Sequence, residues 1–248
     1  MMTLSTLNHQ LATLGLDGFK SSLSLQMEDT SYTKLSFEER LYMLLESEMN
    51  DRVNKKIKRL SAQAKLKDRQ AALENLEYGS KRGLDRSYIL SLATCEYVQR
   101  HQNILITGPT GVGKSFLAQA LGKRAIHEGI SVRYYRVSHL LEEIKVARAS
   151  GNYTKILTTL SRYAILILDD FGVTPLKNDE VNDLFEIIEE RMFNGAIIMT
   201  AQLPIKEWHA YLGNETIADA MMDRLIHSAH KIELKGESMR KLLAKKED

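Results

Sequence analysis

Gly108-Pro109-Thr110-Gly111-Val112-Gly113-Lys114-Ser115 satisfies the pattern G-x-x-x-x-G-K-[ST] at every required position, and its flanks decide the fold. Asn103-Ile104-Leu105-Ile106-Thr107 before it reads as a buried strand, and Phe116-Leu117-Ala118-Gln119-Ala120-Leu121 after it opens a helix. Strand, glycine-rich loop and helix in this order make a cradle for phosphate. Gly111 and Gly113 allow a tight turn that aims successive backbone N–H groups at one point. The helix N-terminus adds partial positive charge. In such a motif Lys114 reaches the β- and γ-phosphates, and the Ser115 hydroxyl ligates Mg²⁺. The expected nucleotide contacts are therefore Gly108, Pro109, Thr110, Gly111, Val112, Gly113, Lys114, Ser115 and Phe116.

Downstream, Ala164-Ile165-Leu166-Ile167-Leu168-Asp169-Asp170 is an apolar strand that ends in two carboxylates. Ligands of open α/β sheets sit at the carboxyl ends of the strands, so both acids are expected to face the phosphate loop. Asp169 is assigned to Mg²⁺, as a Walker-B aspartate, and Asp170 to polarising the attacking water. Around these pieces strand and helix alternate. Ser131–Val137 and Ala196–Thr200 read as further strands, and Ser138–Ala149, Asn152–Leu160 and Asn178–Phe193 as helices. A helix capped near Asp85 is expected from Arg86 to Gln99. That alternation predicts a doubly wound parallel sheet.

The first seventy residues differ in texture. Leucines recur at near-helical spacing from Leu4 to Leu16, and Gly15 and Gly18 then break the pattern. Ser36 with Glu39 is a capping-box signature that opens a long helix at Phe37, with an apolar stripe through Leu41, Leu44, Leu45, Met49, Val53, Ile57 and Leu60. A small all-helical domain over residues 1–70 and a main domain over 71–248 are expected. From Asp51 to Arg69 the helical stretch is basic, although the whole chain of 248 residues carries a formal charge of only +2. Arg52, Lys55, Lys56, Lys58, Arg59 and Lys65 are either a solvated face or a surface for a nucleic-acid backbone. Lys145, Arg148 and Lys155, on the helix pair between Ser138 and Leu160, are further candidates for backbone contact.

Composition excludes other classes. No apolar run approaches the roughly 18 residues that span a bilayer. The N-terminus lacks a basic-then-apolar leader, and the lone Cys95 argues against a disulfide framework. A cytoplasmic protein without a membrane partner is expected. His209, His227 and His230 do not have metal-ligand spacing.

In their order these elements resemble the AAA+ ATPase superfamily, and most closely the IstB-type transposition helper ATPases of insertion sequences, relatives of DnaC-type helicase loaders. The resemblance rests on Asp169-Asp170-Phe171-Gly172, Thr200-Ala201-Gln202-Leu203-Pro204, Asp223-Arg224-Leu225 and Lys235-Gly236-Glu237-Ser238-Met239-Arg240. It implies a P-loop parallel sheet sandwiched by helices, a helical N-terminal domain and a minimal C-terminal lid. It also implies Mg-dependent hydrolysis of ATP, with Gln202 as sensor 1, Arg224 as an arginine finger acting on a neighbouring subunit, and Arg240 as sensor 2. The implied partners are duplex DNA bound without sequence preference, a transposase, and further copies of the chain. The alternative within the resemblance is a loader that binds single-stranded DNA and a replicative helicase. Asp170 stands where the superfamily usually has glutamate and Gln202 where asparagine is common, so turnover is expected to be slow without a partner.

Overall fold

In the computed structural model, residues 4–79, 82–239 and 241 are described. The chain divides into two compact units, Met1–Arg59 and Leu60–Asp248. The division falls within a helix, earlier than the joint near residue 70 that composition suggests.

Every regular element described in the first unit is helical: α1 (Leu4–Thr13), α2 (Asp17–Glu28), a 3₁₀ turn at Thr30–Lys34, and α3 (Phe37–Ala64), which runs on into the second unit. The capping box forms as the residue types require. The Ser36 N–H donates to Glu39 Oε2 at 2.8 Å, and the Glu39 N–H to Ser36 Oγ at 3.2 Å. Gly15, with φ +66°, turns the chain between α1 and α2, but Gly18 does not break a helix. It lies in the first turn of α2, where a Cβ would meet the Glu48 backbone at 2.8 Å. Glu48 of α3, buried, accepts from the Gly18 and Phe19 N–H groups at 2.9 and 3.1 Å, capping α2 with a carboxylate. The long apolar stripe of α3 splits. Leu44 and Leu60 are buried, whereas Leu45, Met49 and Val53 stand exposed. Intervals of three, one, four, four, four and three residues spread these seven side chains around the helix, so they cannot all face one core.

The second unit holds a five-stranded, all-parallel sheet. In chain order it runs through α4 (Arg86–Leu92), α5 (Glu96–Gln99), β1 (Ile104–Thr107), α6 (Lys114–His127), β2 (Val132–Arg136), α7 (Val137–Ala149), α8 (Tyr153–Ser161), β3 (Ile165–Phe171), α9 (Asn178–Arg191), β4 (Ala196–Ala201), α10 (Trp208–Leu212), α11 (Glu215–Ile226) and β5 (His230–Glu233). The spatial order is β2-β3-β4-β1-β5. β1, β3 and β4 are buried on both faces, which is why they read as continuous apolar runs, whereas burial alternates along the edge strand β2. Leu105, Leu166, Leu168, Ile197 and Met199 join the core made with α7, α9, α10 and α11. On the other face, a Cβ at Gly122 of α6 would lie 2.7 Å from Ile167, so this helix sits close on the sheet.

Two elements depart from expectation. Cys95, with φ +62°, splits the helix expected over Arg86–Gln99 into α4 and α5. The edge strand β5 is invisible to an apolar-run criterion, because only Ile232 of its four residues is buried.

Arg191, only 1% exposed, donates to the carbonyls of Leu160 at 2.7 Å and Ala196 at 3.0 Å, tying the ends of α8 and α9 to β4. Burial lowers its pKa to about 10. Arg191→Leu strands those carbonyls without donors and is expected to destabilise the second unit by about 2–4 kcal/mol. A urea midpoint equal to wild type would show that the bonds are dispensable.

Candidate nucleotide site and its surroundings

The loop between β1 and α6 lies at the carboxyl edge of the sheet, as topology requires. Gly108, Gly111 and Gly113 all have positive φ. A side chain on Gly111 would strike Ser238, whose segment folds over the loop: the Met239 N–H donates to the Gly111 carbonyl at 2.9 Å. Gly113 has φ +99° immediately before the first helical residue, Lys114. Lys114 is buried and bends its ammonium back to the Pro109 carbonyl at 2.8 Å. Burial lowers its pKa, against the opposing pull of Asp170 and Asp169. A phosphate at the loop offers this ammonium a charged acceptor in place of a carbonyl dipole.

Asp169, 1% exposed, is the hub of the site. Its Oδ1 accepts from Ser115 Oγ at 2.8 Å and Thr200 Oγ1 at 2.5 Å, and its Oδ2 from the Tyr134 hydroxyl at 2.6 Å. Three hydroxyl donors offset the cost of burying that charge. The Tyr134 hydroxyl is in turn pushed well above its ordinary pKa, first by burial and then by Asp169.

Asp170 adopts φ +64°, the left-handed region that a non-glycine residue rarely enters. The β3–β4 register slips between Leu168 and Phe171. The irregularity re-aims the acid, as bulges beside active sites do, and the Asp170 N–H donates to Thr200 Oγ1 at 3.1 Å. Burial, followed by the charge of Asp169, raises the Asp170 pKa, while Arg136, 3.3 Å away, and Lys114 oppose the rise. Gln202 follows β4 directly and borders, with Thr107, Gly108 and Pro109, a cleft of about 750 Å³. Beside Gly113 a second hollow, of about 250 Å³, is lined by Leu76, Leu84, Phe116, Leu234 and Met239 with a few polar groups, among them Asn75 and Arg82. Its apolar lining suits a flat base. Arg82 also donates to the Val112 carbonyl at 2.7 Å.

The fold therefore brings Lys114, Ser115, Asp169, Asp170 and Gln202 to one edge of the sheet. It adds Thr200, Tyr134, Arg136 and Arg82, which a sequence analysis led by acids and glycines passes over. A threonine inside the apolar run Ala196–Thr200 was the one available signal for the first of these.

Arg224 lies elsewhere. Asn103, which precedes β1, donates to the Arg224 carbonyl at 3.2 Å, so the arginine sits at the amino edge of the sheet. The loop begins at Gly108, about 16 Å further along the strand direction. The guanidinium pairs with Glu189, stacks over Phe185 at 5.2 Å, and borders a cavity of about 370 Å³ with Met192, Phe193 and His227. Arg240 lies outside the described residues.

The basic candidates differ among themselves. Arg52 pairs with Glu48 at 2.7 Å, and Lys55 with Asp17 and Asp51 at 2.5 and 2.8 Å. Lys56, Lys58, Arg59 and Lys65 are exposed, as are Lys145 on α7 and Lys155 on α8. Arg148 is held by the buried Asp183 of α9 and lies 3.7 Å over the Tyr153 ring, which gives it a structural task joining three helices.

No helix among the described residues is long and apolar enough to cross a membrane. By fold, the chain is similar to the crystal structure of the DnaC helicase loader (TM-score 0.59, 21% identity, covering 67% of this chain and 98% of that one). It is likewise similar to AMPPCP-bound DnaA from Aquifex aeolicus (TM-score 0.56, 20% identity, 72% and 55%). Both likenesses assign the AAA+ type of parallel sheet. By sequence it is 42% identical to the insertion sequence ATP-binding protein y4pL of Sinorhizobium fredii, over 94% of each chain. It is 41% identical to the ATP-binding protein of insertion sequence IS1162 from Pseudomonas fluorescens, over 82% of this chain and 88% of that one. The model of the IstB-like ATP binding proteins matches residues 9–247, and the chain belongs to that family.

Proposed function

We propose that the protein is an ATP-hydrolysing helper of transposition that assembles on duplex DNA and delivers it, as target, to a transposase. The observation that carries this reading is the separation of Arg224 from its own phosphate loop. A single copy has a lysine, a hydroxyl, two carboxylates, Arg82 and Arg136 at the nucleotide edge, while Arg224 stands at the opposite edge, available to another copy.

Within one site, Lys114 and the loop N–H groups bind the β- and γ-phosphates. Ser115 Oγ and the Asp169 carboxylate, 2.8 Å apart, are a hydroxyl–carboxylate pair of the kind that suits Mg²⁺, which when bound supplies positive charge to phosphate oxygens. Asp170 takes the proton of the attacking water, Gln202 orients that water, and Arg224 of a neighbouring copy offsets charge on the γ-phosphate. Arg240 is proposed to touch phosphate from within its own chain. The insertion-sequence names of the relatives support a transposase as the partner.

For DNA, the exposed Lys58, Arg59 and Lys65 together with Lys145 and Lys155 are the favoured contacts. The aromatic that accompanies them, Tyr153, is already covered by Arg148, which disfavours base stacking and a single-strand loader. Affinity for duplex is expected to fall with salt by a slope of about −0.9 per phosphate neutralised, alike for unrelated sequences. Lys58→Glu with Arg59→Glu is expected to lower affinity at least about tenfold and to reduce that slope by about 2. Unchanged binding isotherms for this double variant would exclude the basic segment as the DNA surface.

A further inference from the structure

β3 lies between β2 and β4, and the Asp169 carboxylate is gripped from both sides. Thr200 of β4 and Ser115 of α6 donate to Oδ1, at 2.5 and 2.8 Å. Oδ2 accepts from the Tyr134 hydroxyl of β2 at 2.6 Å. That bond joins two buried side chains, 4% and 1% exposed. The terminal torsion of an aspartate is broad and roughly two-fold, so donors on one oxygen leave the carboxylate plane free to swing. A donor on the second oxygen fixes the plane, and with it the direction in which Oδ1 faces Ser115.

The tyrosine is itself held. In the β2–β3 register Tyr134 stands opposite Ile167 and Arg136 opposite Asp169, so the hydroxyl reaches its acid diagonally, two residues along the ladder. Lys67 covers the ring, its Nζ 5.8 Å from the centroid. The N–H groups of Lys67 and Asp68 donate to Gln119 Oε1 at 2.7 and 2.9 Å, and Gln119 Nε2 donates to the Ser115 carbonyl at 3.2 Å. One glutamine of α6 thus ties the segment that covers Tyr134 to the residue that shares Asp169 with it. A phenylalanine would fill the same space; what the hydroxyl adds is the bond to Asp169. Burial raises its pKa, so it keeps its proton and acts as the donor.

We infer that Tyr134 is a positioning residue of the nucleotide site, whose hydroxyl orients the Asp169 carboxylate so that Asp169 and Ser115 present a preset pair of oxygens to a divalent cation. This role presupposes the proposed Mg²⁺ site at Ser115 and Asp169. Partners of this kind behind a metal-ligating group contribute about 10–100-fold in metal affinity or activity. Two tasks then separate. Phosphate binding without metal belongs to Lys114 and the loop and does not need Tyr134, whereas the gain in affinity that Mg²⁺ confers does.

Equilibrium titration of the full chain with a fluorescent, non-hydrolysable ATP analogue, in EDTA and over a range of Mg²⁺ concentrations, tests this. Tyr134→Phe is expected to bind the analogue within about twofold of wild type in EDTA, and to need roughly tenfold more Mg²⁺ for the half-maximal gain in affinity. Hydrolysis is expected to fall about tenfold at limiting Mg²⁺ and to climb back as Mg²⁺ is raised, a defect in the apparent metal constant more than in kcat. Tyr134→Met, a flexible filler without a hydroxyl, is expected to show the same shift and guards against a folding defect peculiar to one variant. Asp169→Asn is the reference and is expected to lose the Mg²⁺ effect altogether. A wild type indifferent to Mg²⁺, or an Asp169→Asn protein that responds to it like wild type, overturns the metal site and the role of Tyr134 with it. A lost response in Asp169→Asn beside an unshifted Mg²⁺ requirement in Tyr134→Phe overturns the role of Tyr134 alone. Equal losses of affinity with and without Mg²⁺ reduce the hydroxyl to a packing group and overturn that role as well.

Discussion

Arg224→Ala is expected to keep ATP affinity within about twofold of wild type while cutting hydrolysis by roughly 10³-fold or more, the range an arginine supplied in trans commonly contributes. The expectation comes from distance. The guanidinium stands at the amino edge of the sheet, paired with Glu189 and stacked on Phe185, while Lys114 stands at the carboxyl edge. No side-chain rotation bridges the length of β1 between them. ATP-dependent assembly on DNA is expected to fail with hydrolysis, because the same contact serves both. Mixing gives the sharper measurement. A Lys114→Ala copy cannot hold the phosphates but keeps its arginine, and an Arg224→Ala copy keeps its phosphate loop. Mixed assemblies contain interfaces that pair an intact loop with an intact arginine and are expected to recover activity. Two inactive variants that never complement at any ratio, with Arg224→Ala still assembling normally, would assign Arg224 to its own surface.

Lys114→Ala and Asp170→Asn are expected to separate binding from turnover. Lys114 is buried at the loop, and its removal takes away the ammonium that the motif assigns to the phosphates, so ATP binding is expected to be lost by equilibrium titration. Asp170→Asn retains the hydrogen bond from its N–H to Thr200, because that bond uses the backbone. ATP affinity is therefore expected to persist while hydrolysis falls by about 10²–10⁴-fold, the usual contribution of a positioned base. Equal rates for wild type and Asp170→Asn would remove Asp170 from the mechanism. The rarely adopted φ of this residue makes such an outcome the more informative, since strain kept at one acid calls for a task.

What the chain disclosed before folding follows from locality. The phosphate loop, the strand ending in Asp169-Asp170 and the capping box at Ser36–Glu39 are contiguous, and each depends on backbone geometry that neighbouring residues impose. Double burial produces the apolar runs of β1, β3 and β4, and β2, half-buried in alternation, was legible too, while β5, an edge strand with one buried residue, was not. The Gln202 and Arg224 assignments came from resemblance; only the assembled sheet put one beside the loop and the other at the far edge. Three-dimensional convergence alone recruited Tyr134 and Thr200 to Asp169, 35 and 31 residues distant in sequence. It alone enlisted Arg148 for Asp183, and left half of the α3 stripe bare. Period and motif encode what a segment can be. Which of its groups find partners is settled by contacts between segments, and those form only once the sheet and its helices have packed.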